Sequence, residues 1–235
     1  MPMSFDYGER VNGWQGVVAR VARASVAAGR NPATVRILAV SKTFPPEAIR
    51  PVHAAGARAF GENYVQEALA KIDALADLPD LEWHLIGPLQ SNKTRVVAER
   101  FAWVHTIDRP RIAARLGDAR AGRPALNVCV QVNISGEATK SGVPPGDAAG
   151  LAREVADMPG LALRGFMGIA LPTADVARQR AEFAVLRQCL EDARALGLTL
   201  DTLSMGMSAD LEAAIAEGAT IVRVGSAIFG ARPAK

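Results

Sequence analysis

The chain has 235 residues, long for one ordinary domain and typical of one (β/α)₈ barrel. Hydrophobic residues make up 49% and charged residues 22%, enough for a sizeable core, while aromatics at 5% argue against an aromatic sandwich core. The net charge of +3 comes from scattered basic residues, and no apolar run nears the roughly 18 residues of a membrane span, so neither a nucleic-acid arm nor a membrane anchor is read.

The opening MPMSFDYGERVNGW has no apolar segment behind a basic start, so no secretory leader is read and a cytoplasmic protein is expected. Residues 10–29 show helical apolar spacing through Val11, Val17, Val18 and Val21, and close at Gly29 before Asn31-Pro32. The chain then alternates. Strand-like runs are predicted at 35–41, 57–60, 82–86, 102–106, 126–132, 161–169, 200–204 and 220–224. Helical patterns follow at about 46–55 and at 64–76, 92–100, 109–121, 147–157, 178–196 and 209–217. Strands that alternate with helices must be parallel, and eight such units close into a barrel. An open doubly wound sheet would want G-x-G-x-x-G after the first strand, which is missing, and no linker to a second domain is visible. Residues 1–235 therefore read as a single (β/α)₈ barrel domain. Cys129 and Cys189 lie in a strand-like and a helical run without C-x-x-C spacing, and read as buried thiols of a reducing compartment. The polar stretch 135–147 after the fifth strand is expected to be a mobile loop on the functional face.

In such a barrel, chemistry gathers at the C-terminal ends of the strands. Lys42 ends the first strand directly after ILAVS. Of five lysines, Lys71 lies in a helical repeat, Lys93 near a helix start, Lys140 in the polar loop and Lys235 at the terminus. Desolvation at a strand mouth lowers an ammonium pKa and frees the amine to attack an aldehyde. A lysine snorkelling out of a strand end explains the position equally well. Arg223, inside the last strand, needs a partner, either an interior carboxylate or a ligand at the mouth. SMGMSADLEAAIAEG reads as a strand end, a glycine turn and a helix with Ser208 as a candidate N-cap, and Gly225-Ser226 opens a second short turn. These are the loops after strands seven and eight, where many barrels bind phosphate. Asn63 reads as the N-cap of the helix at YVQEALAKI, or as an amide turned toward a bound ring. His84 and His105 read as hydrogen-bonded core residues, since no acidic or cysteine set gives them metal spacing. SGEATKSG fails the phosphate-loop pattern.

The strings ILAVSK (37–42), FGENYVQE (60–67), WHLIGPLQSNK (83–93), LRGFM (163–167), LSMGMSAD (203–210) and VRVGSAIFGAR (222–232) closely resemble the pyridoxal phosphate homeostasis protein family, as do VNIS and TKSG around 132–142. The likeness runs from about residue 10 to 232. It implies an alanine-racemase-type barrel that carries pyridoxal 5′-phosphate but lacks the racemase's β-rich second domain. By the family pattern, Lys42 forms the internal aldimine, a Schiff base, and Arg223 contacts the pyridine nitrogen. Ser204, Gly225 and Ser226 hold the phosphate, helped by the turn from Met205 to Ser208, and Asn63 lies near the ring. Ser226 stands where threonine is common, and either hydroxyl can donate.

The resemblance implies a cofactor carrier or buffer in vitamin B6 homeostasis that affects amino-acid and keto-acid balance, with no established catalytic reaction. Pyridoxal phosphate is the expected ligand, apo-enzymes that depend on it are candidate partners, and a monomer without nucleic acid or membrane is expected. A pyridoxal-phosphate-dependent amino-acid racemase is the alternative. Racemisation needs acid/base groups on both faces of Cα, and nothing after SAIFGARPAK supplies the second. A purely structural protein would leave Lys42 and Arg223 without a role.

Overall fold

The computed structural model describes residues 7–137 and 139–231. Eight strands form a closed, wholly parallel barrel: β1 (Arg36–Val40), β2 (Ala59–Glu62), β3 (Glu82–Leu85), β4 (Trp103–Ile107), β5 (Leu126–Val132), β6 (Leu161–Gly168), β7 (Thr202–Ser204) and β8 (Ile221–Val224). Closure comes from β1, which pairs with β2 at Ala39↔Phe60 and with β8 at Leu38↔Arg223. Helices cover one face and the barrel interior takes the other, so strand residues are buried on both sides and alternation is suppressed. Every residue of β4 is buried.

Around the barrel lie α1 (Tyr7–Ala27), α2 (Ile49–Ala54), α3 (Val65–Ala74), α4 (Thr94–Arg100), α5 (Pro110–Ala119), α6 (Pro145–Ala156), α7 (Val176–Ala195), α8 (Leu211–Ala216) and the short α9 (Ser226–Phe229). The helix α1 packs on α2, α8 and α9 and completes the outer layer between them. Two apolar zones result. The larger lies between strands and helices and contains Phe60, Phe101, Phe166 and Phe183. The smaller fills the interior with Leu38, Ala59, Trp103, Cys129, Met167 and Ile221 from alternate strand positions. Among the described residues no helix is long and apolar enough to cross a membrane. Both cysteines are free and buried, and burial pushes their thiols up to about 12 for Cys129 and about 11 for Cys189.

The element order follows the sequence expectation, with shifts at the edges. The strand expected at 57–60 runs from Ala59 to Glu62, because Gly61 and Glu62 continue the ladder onto His84 and Leu85 despite their weak strand character. The segment 46–55 splits into a 3₁₀ turn, Pro46–Ala48, and α2. The polar loop is shorter than expected, since Pro145 starts α6 in the first-turn position that suits proline. Its ends are also tied: Asn133 N–H donates to Val143 O, and Val143 N–H to Gln131 O, each at 2.9 Å.

Candidate functional site

At the C-terminal ends of β1 and β8 lies a cavity of about 280 Å³. Lys42, half-buried, lines it just beyond β1. The next residue, Thr43, has φ 71°, the only positive φ of a non-glycine residue among those described. That conformation costs on the order of 1–3 kcal/mol and persists only where the surroundings enforce it. Here Thr43 N–H donates to Glu67 Oε1 at 2.6 Å. From α3 the buried Lys71 Nζ donates to Ser41 O (2.8 Å), Glu62 Oε1 (2.8 Å) and Glu67 Oε1 (2.5 Å). Ser41 Oγ also donates to Glu62 Oε1 at 2.5 Å. Burial raises the Glu62 pKa against the pull of Lys71. The residues on both sides of Lys42 are thus clamped, while Lys71 is held between two carboxylates. Sequence reading placed Lys71 on a helix and missed this role; the available signal was Glu67 and Lys71 at i, i+4.

Arg223 lines the same cavity and is otherwise buried. Its guanidinium donates to Ser204 O (2.5 Å), Ser204 Oγ (2.9 Å) and Gly168 O (2.9 Å). Among the described residues no carboxylate forms an ion pair with it, so the interior ion pair open at the sequence level is replaced by hydrogen bonds. Burial draws its pKa down to about 10, which leaves it a cation near neutral pH.

The opposite end of the cavity is built from turns. Gly206 has φ 92°, and a Cβ there would lie 2.5 Å from Ala214 Cβ, so only glycine lets the chain turn so close to α8. Met207 N–H donates to Asp210 Oδ1 at 2.5 Å. Asp210, not Ser208, therefore precedes α8 and closes the turn. Ser208 is left to line the cavity, where Ser226 Oγ donates to Ser208 Oγ at 3.2 Å, and its carbonyl accepts from Arg20 Nη1 at 2.7 Å. Gly225 precedes α9, and a Cβ there would stand 3.2 Å from Val40 O.

Of the eight residues singled out from the sequence, Lys42, Asn63, Ser208, Arg223, Gly225 and Ser226 line this cavity. Ser204 and Met205 are fully buried and do not border it. The Ser204 hydroxyl is engaged by Arg223 at 2.9 Å and by His105 Nδ1 at 2.8 Å. Asn63 caps nothing: Tyr64 occupies the N-cap of α3, without a side-chain cap bond. His84 and His105 are hydrogen-bonded core residues, as expected, and they meet each other, with His84 Nδ1 and His105 Nε2 at 2.9 Å. Asn63, Ile86 and Ile169 also line an adjoining cavity of about 220 Å³, which Lys140 borders from the polar loop.

The sequence profile described as alanine racemase, N-terminal domain, matches residues 19–233. A protein of Pseudomonas aeruginosa named pyridoxal phosphate homeostasis protein is 63% identical over 217 residues, 92% of this chain and 93% of its own. Among solved structures, one described as an unknown protein from Bifidobacterium adolescentis has TM-score 0.90 at 36% identity, with 95% of each chain covered. A structure of PipY from Synechococcus elongatus, described as having PLP bound, has TM-score 0.78 at 40% identity and covers 89% of this chain and 100% of its own.

Proposed function

The chain belongs to the pyridoxal phosphate homeostasis protein family, on the alanine racemase N-terminal domain, and from that premise we propose that it binds pyridoxal 5′-phosphate as a cofactor carrier and buffer. The observation that carries this reading is one cavity in which a lysine amine, a buried arginine with no carboxylate partner among the described residues and two converging hydroxyls meet. Those groups fit the cofactor one by one. The aldehyde asks for a nucleophilic amine, and Lys42 supplies it as the point of covalent attachment. The phosphate asks for donors, and Ser208 and Ser226 offer hydroxyls beside the backbone N–H groups at Gly225 and Ser226. Since α9 has only four residues, its dipole adds little, and the hydroxyls and N–H groups dominate. The flat ring asks for apolar walls, and Val40, Ile86, Ile169 and Met207 provide them. Arg223 stands at the ring end and Asn63 at the side.

Bound there, the cofactor supplies an electrophilic aldehyde and an electron-withdrawing ring. The chain's own residues bind, orient and shield it. Arg223 remains protonated, which favours an unprotonated ring nitrogen and suits holding the cofactor better than driving reactions at a bound amino acid. The role is storage and delivery inside the cell, with apo-enzymes that require pyridoxal phosphate as recipients and the protein acting as a monomer without catalytic turnover.

The test is spectroscopic. Purified protein with pyridoxal phosphate is expected to show a visible band that borohydride discharges. It is also expected to restore activity to an apo-enzyme mixed with it. A protein that stays colourless at excess cofactor refutes the reading.

A further inference from the structure

Beneath the cavity, inside the barrel, lies a set of polar groups that the cofactor reading does not use, and it leads up to Arg223. Glu82 and His84 alternate on β3, His105 faces them from β4, Ser204 ends β7, and Arg223 enters from β8. Their contacts run end to end. Arg36, at the rim of β1, pairs with Glu82 at 2.7 Å. Glu82 Oε1 meets His84 Nε2 at 2.7 Å, His84 Nδ1 meets His105 Nε2 at 2.9 Å, and His105 Nδ1 meets Ser204 Oγ at 2.8 Å. Arg223 Nη1 then donates to Ser204 Oγ at 2.9 Å. His84, His105 and Ser204 are fully buried. The His84 ring is stacked on Trp103 at 5.3 Å and 4°, so its plane is fixed by packing.

The acid end dictates the direction of every bond. Burial works to raise the Glu82 pKa, but the hydrogen bond with His84 and the Arg36 cation overcome it and hold the carboxyl down to about 2. Glu82 is therefore an acceptor. Burial pushes His84 down to about 4, and burial together with the Arg223 and Arg36 cations pushes His105 well below the usual range, so both rings are neutral at neutral pH. A neutral His84 that donates from Nε2 must accept at Nδ1, so His105 donates from Nε2. His105 Nδ1 is then bare and accepts from the Ser204 hydroxyl, whose oxygen accepts from Arg223. Only one arrangement satisfies all five groups, and it points from Arg223 to Glu82.

We propose that Glu82, His84, His105 and Ser204 are positioning residues for the cofactor: a one-way hydrogen-bonded column that aims the Arg223 guanidinium at the cavity and provides it with a distant countercharge. This rests on reading the cavity as the pyridoxal phosphate site. A carboxylate in direct contact would occupy the face of the guanidinium that the ligand needs. The column instead engages Arg223 from below, through neutral links that polarise one another. Ser204 O and Gly168 O hold the remaining orientation. Arg223 thus meets the ligand as a full cation of fixed aim.

Two measurements test this. In cofactor-free protein with nitrogen-15-labelled histidine, NMR at neutral pH is expected to show His84 and His105 both neutral, protonated at Nε2 and bare at Nδ1. Protonation of both rings at Nδ1 overturns the proposal. In titrations followed by absorbance, Glu82→Gln, which touches no ligand, is expected to shift the visible band and to raise the dissociation constant about tenfold. Pyridoxal and pyridoxal phosphate weaken by the same factor, because the phosphate end is untouched. Ser204→Ala, which removes a single buried oxygen, is expected to do the same, with the double variant no worse than the worse single one. A loss in Ser204→Ala confined to the phosphorylated form would make Ser204 a phosphate ligand and overturn the column. A wild-type band and affinity in a folded Glu82→Gln protein overturn it as well, and leave the cofactor reading intact. Absence of any band in the wild type removes the cofactor reading, and the proposal with it.

Discussion

At one end of the cavity Ser208 and Ser226 offer hydroxyls from turns at the surface, while at the other Arg223 rises from β8 on a column of buried polar groups. Among the described residues, the turn end lines the cavity with uncharged groups at Ser208, Gly225 and Ser226, and its selectivity is a matter of donors placed by backbone geometry. The column end depends on proton positions inside a barrel otherwise filled by Leu38, Met167 and Ile221. The first can be weakened one donor at a time. The second works as a unit, because each neutral histidine has a single proton to place and the loss of one link leaves the next group unsatisfied. Lys42 stands between them, and its removal should give the largest effect. In Lys42→Ala, borohydride is expected to fix no cofactor, whereas in the wild type the label maps to Lys42. Mapping to Lys71, which is buried between Glu62 and Glu67, or chiefly to Lys140, would sink the assignment.

Next in size is the turn end. Hydrogen bonds to charged groups contribute about 1.5–3 kcal/mol each, so Ser208→Ala with Ser226→Ala should weaken pyridoxal phosphate by roughly a thousandfold. Pyridoxal, which lacks the phosphate, should change by no more than about twofold on the same argument. Equal weakening of both forms would mean that the hydroxyls serve the ring and that the two ends are not separate.

The column end has its own signature in acid. His84 has its pKa lowered from 6.5 to about 4 in the fold, so between those values the unfolded chain takes up a proton that the folded protein does not. Its contribution is present above pH 6.5 and lost as pH falls through 4. Glu82, lowered from 4.5 to about 2, acts in the same direction over the next window down. Because the two are coupled and Glu82 is partly exposed, about 2 kcal/mol is expected to disappear between pH 7 and 4. Urea unfolding at both pH values measures it. Ser208→Ala with Ser226→Ala should lose as much as the wild type, and His84→Gln distinctly less. A full acid loss in His84→Gln would place the titration elsewhere.

The same contrast explains what the sequence made legible. Strands buried on both faces leave dense apolar runs, and Lys42, Gly225 and Ser226 fall at their ends, so barrel and mouth could be read by position. Ser208 was drawn to the right turn but assigned the cap that Asp210 displaces. The column was harder to read. His84 and His105 were recognisable as core histidines, yet His105 reaches Ser204 on β7, about a hundred residues away, and no local spacing encodes a contact across a barrel. For that reason the contacts of Ser204 could not be read, as it sits beside the Met205–Ser208 turn in sequence and bonds Arg223 in space. The clamp on Thr43 needed knowledge of a positive φ that nothing in a threonine announces.

The smallest expected effect is at a bound amino acid, and it follows from the column. Loss of the Cα proton is fast when the ring nitrogen is protonated and draws electrons strongly. Arg223, with a pKa of about 10, keeps its own proton at neutral pH and gives none to the ring. Lys42 can act as a base on one face, but the walls around the cavity are apolar at Val40, Ile86, Ile169 and Met207, and none of these can return a proton from the other. Incubation with L-alanine in deuterated water is therefore expected to give deuterium at Cα barely above the background set by free pyridoxal phosphate, and no D-alanine. Rapid exchange with accumulation of the D-isomer, abolished in Lys42→Ala, would show an acid/base group on the second face and make the protein a racemase. Exchange that rises in Glu82→Gln, without D-alanine, would instead locate the restraint in the column, since that variant loosens Arg223 and leaves every group lining the cavity in place.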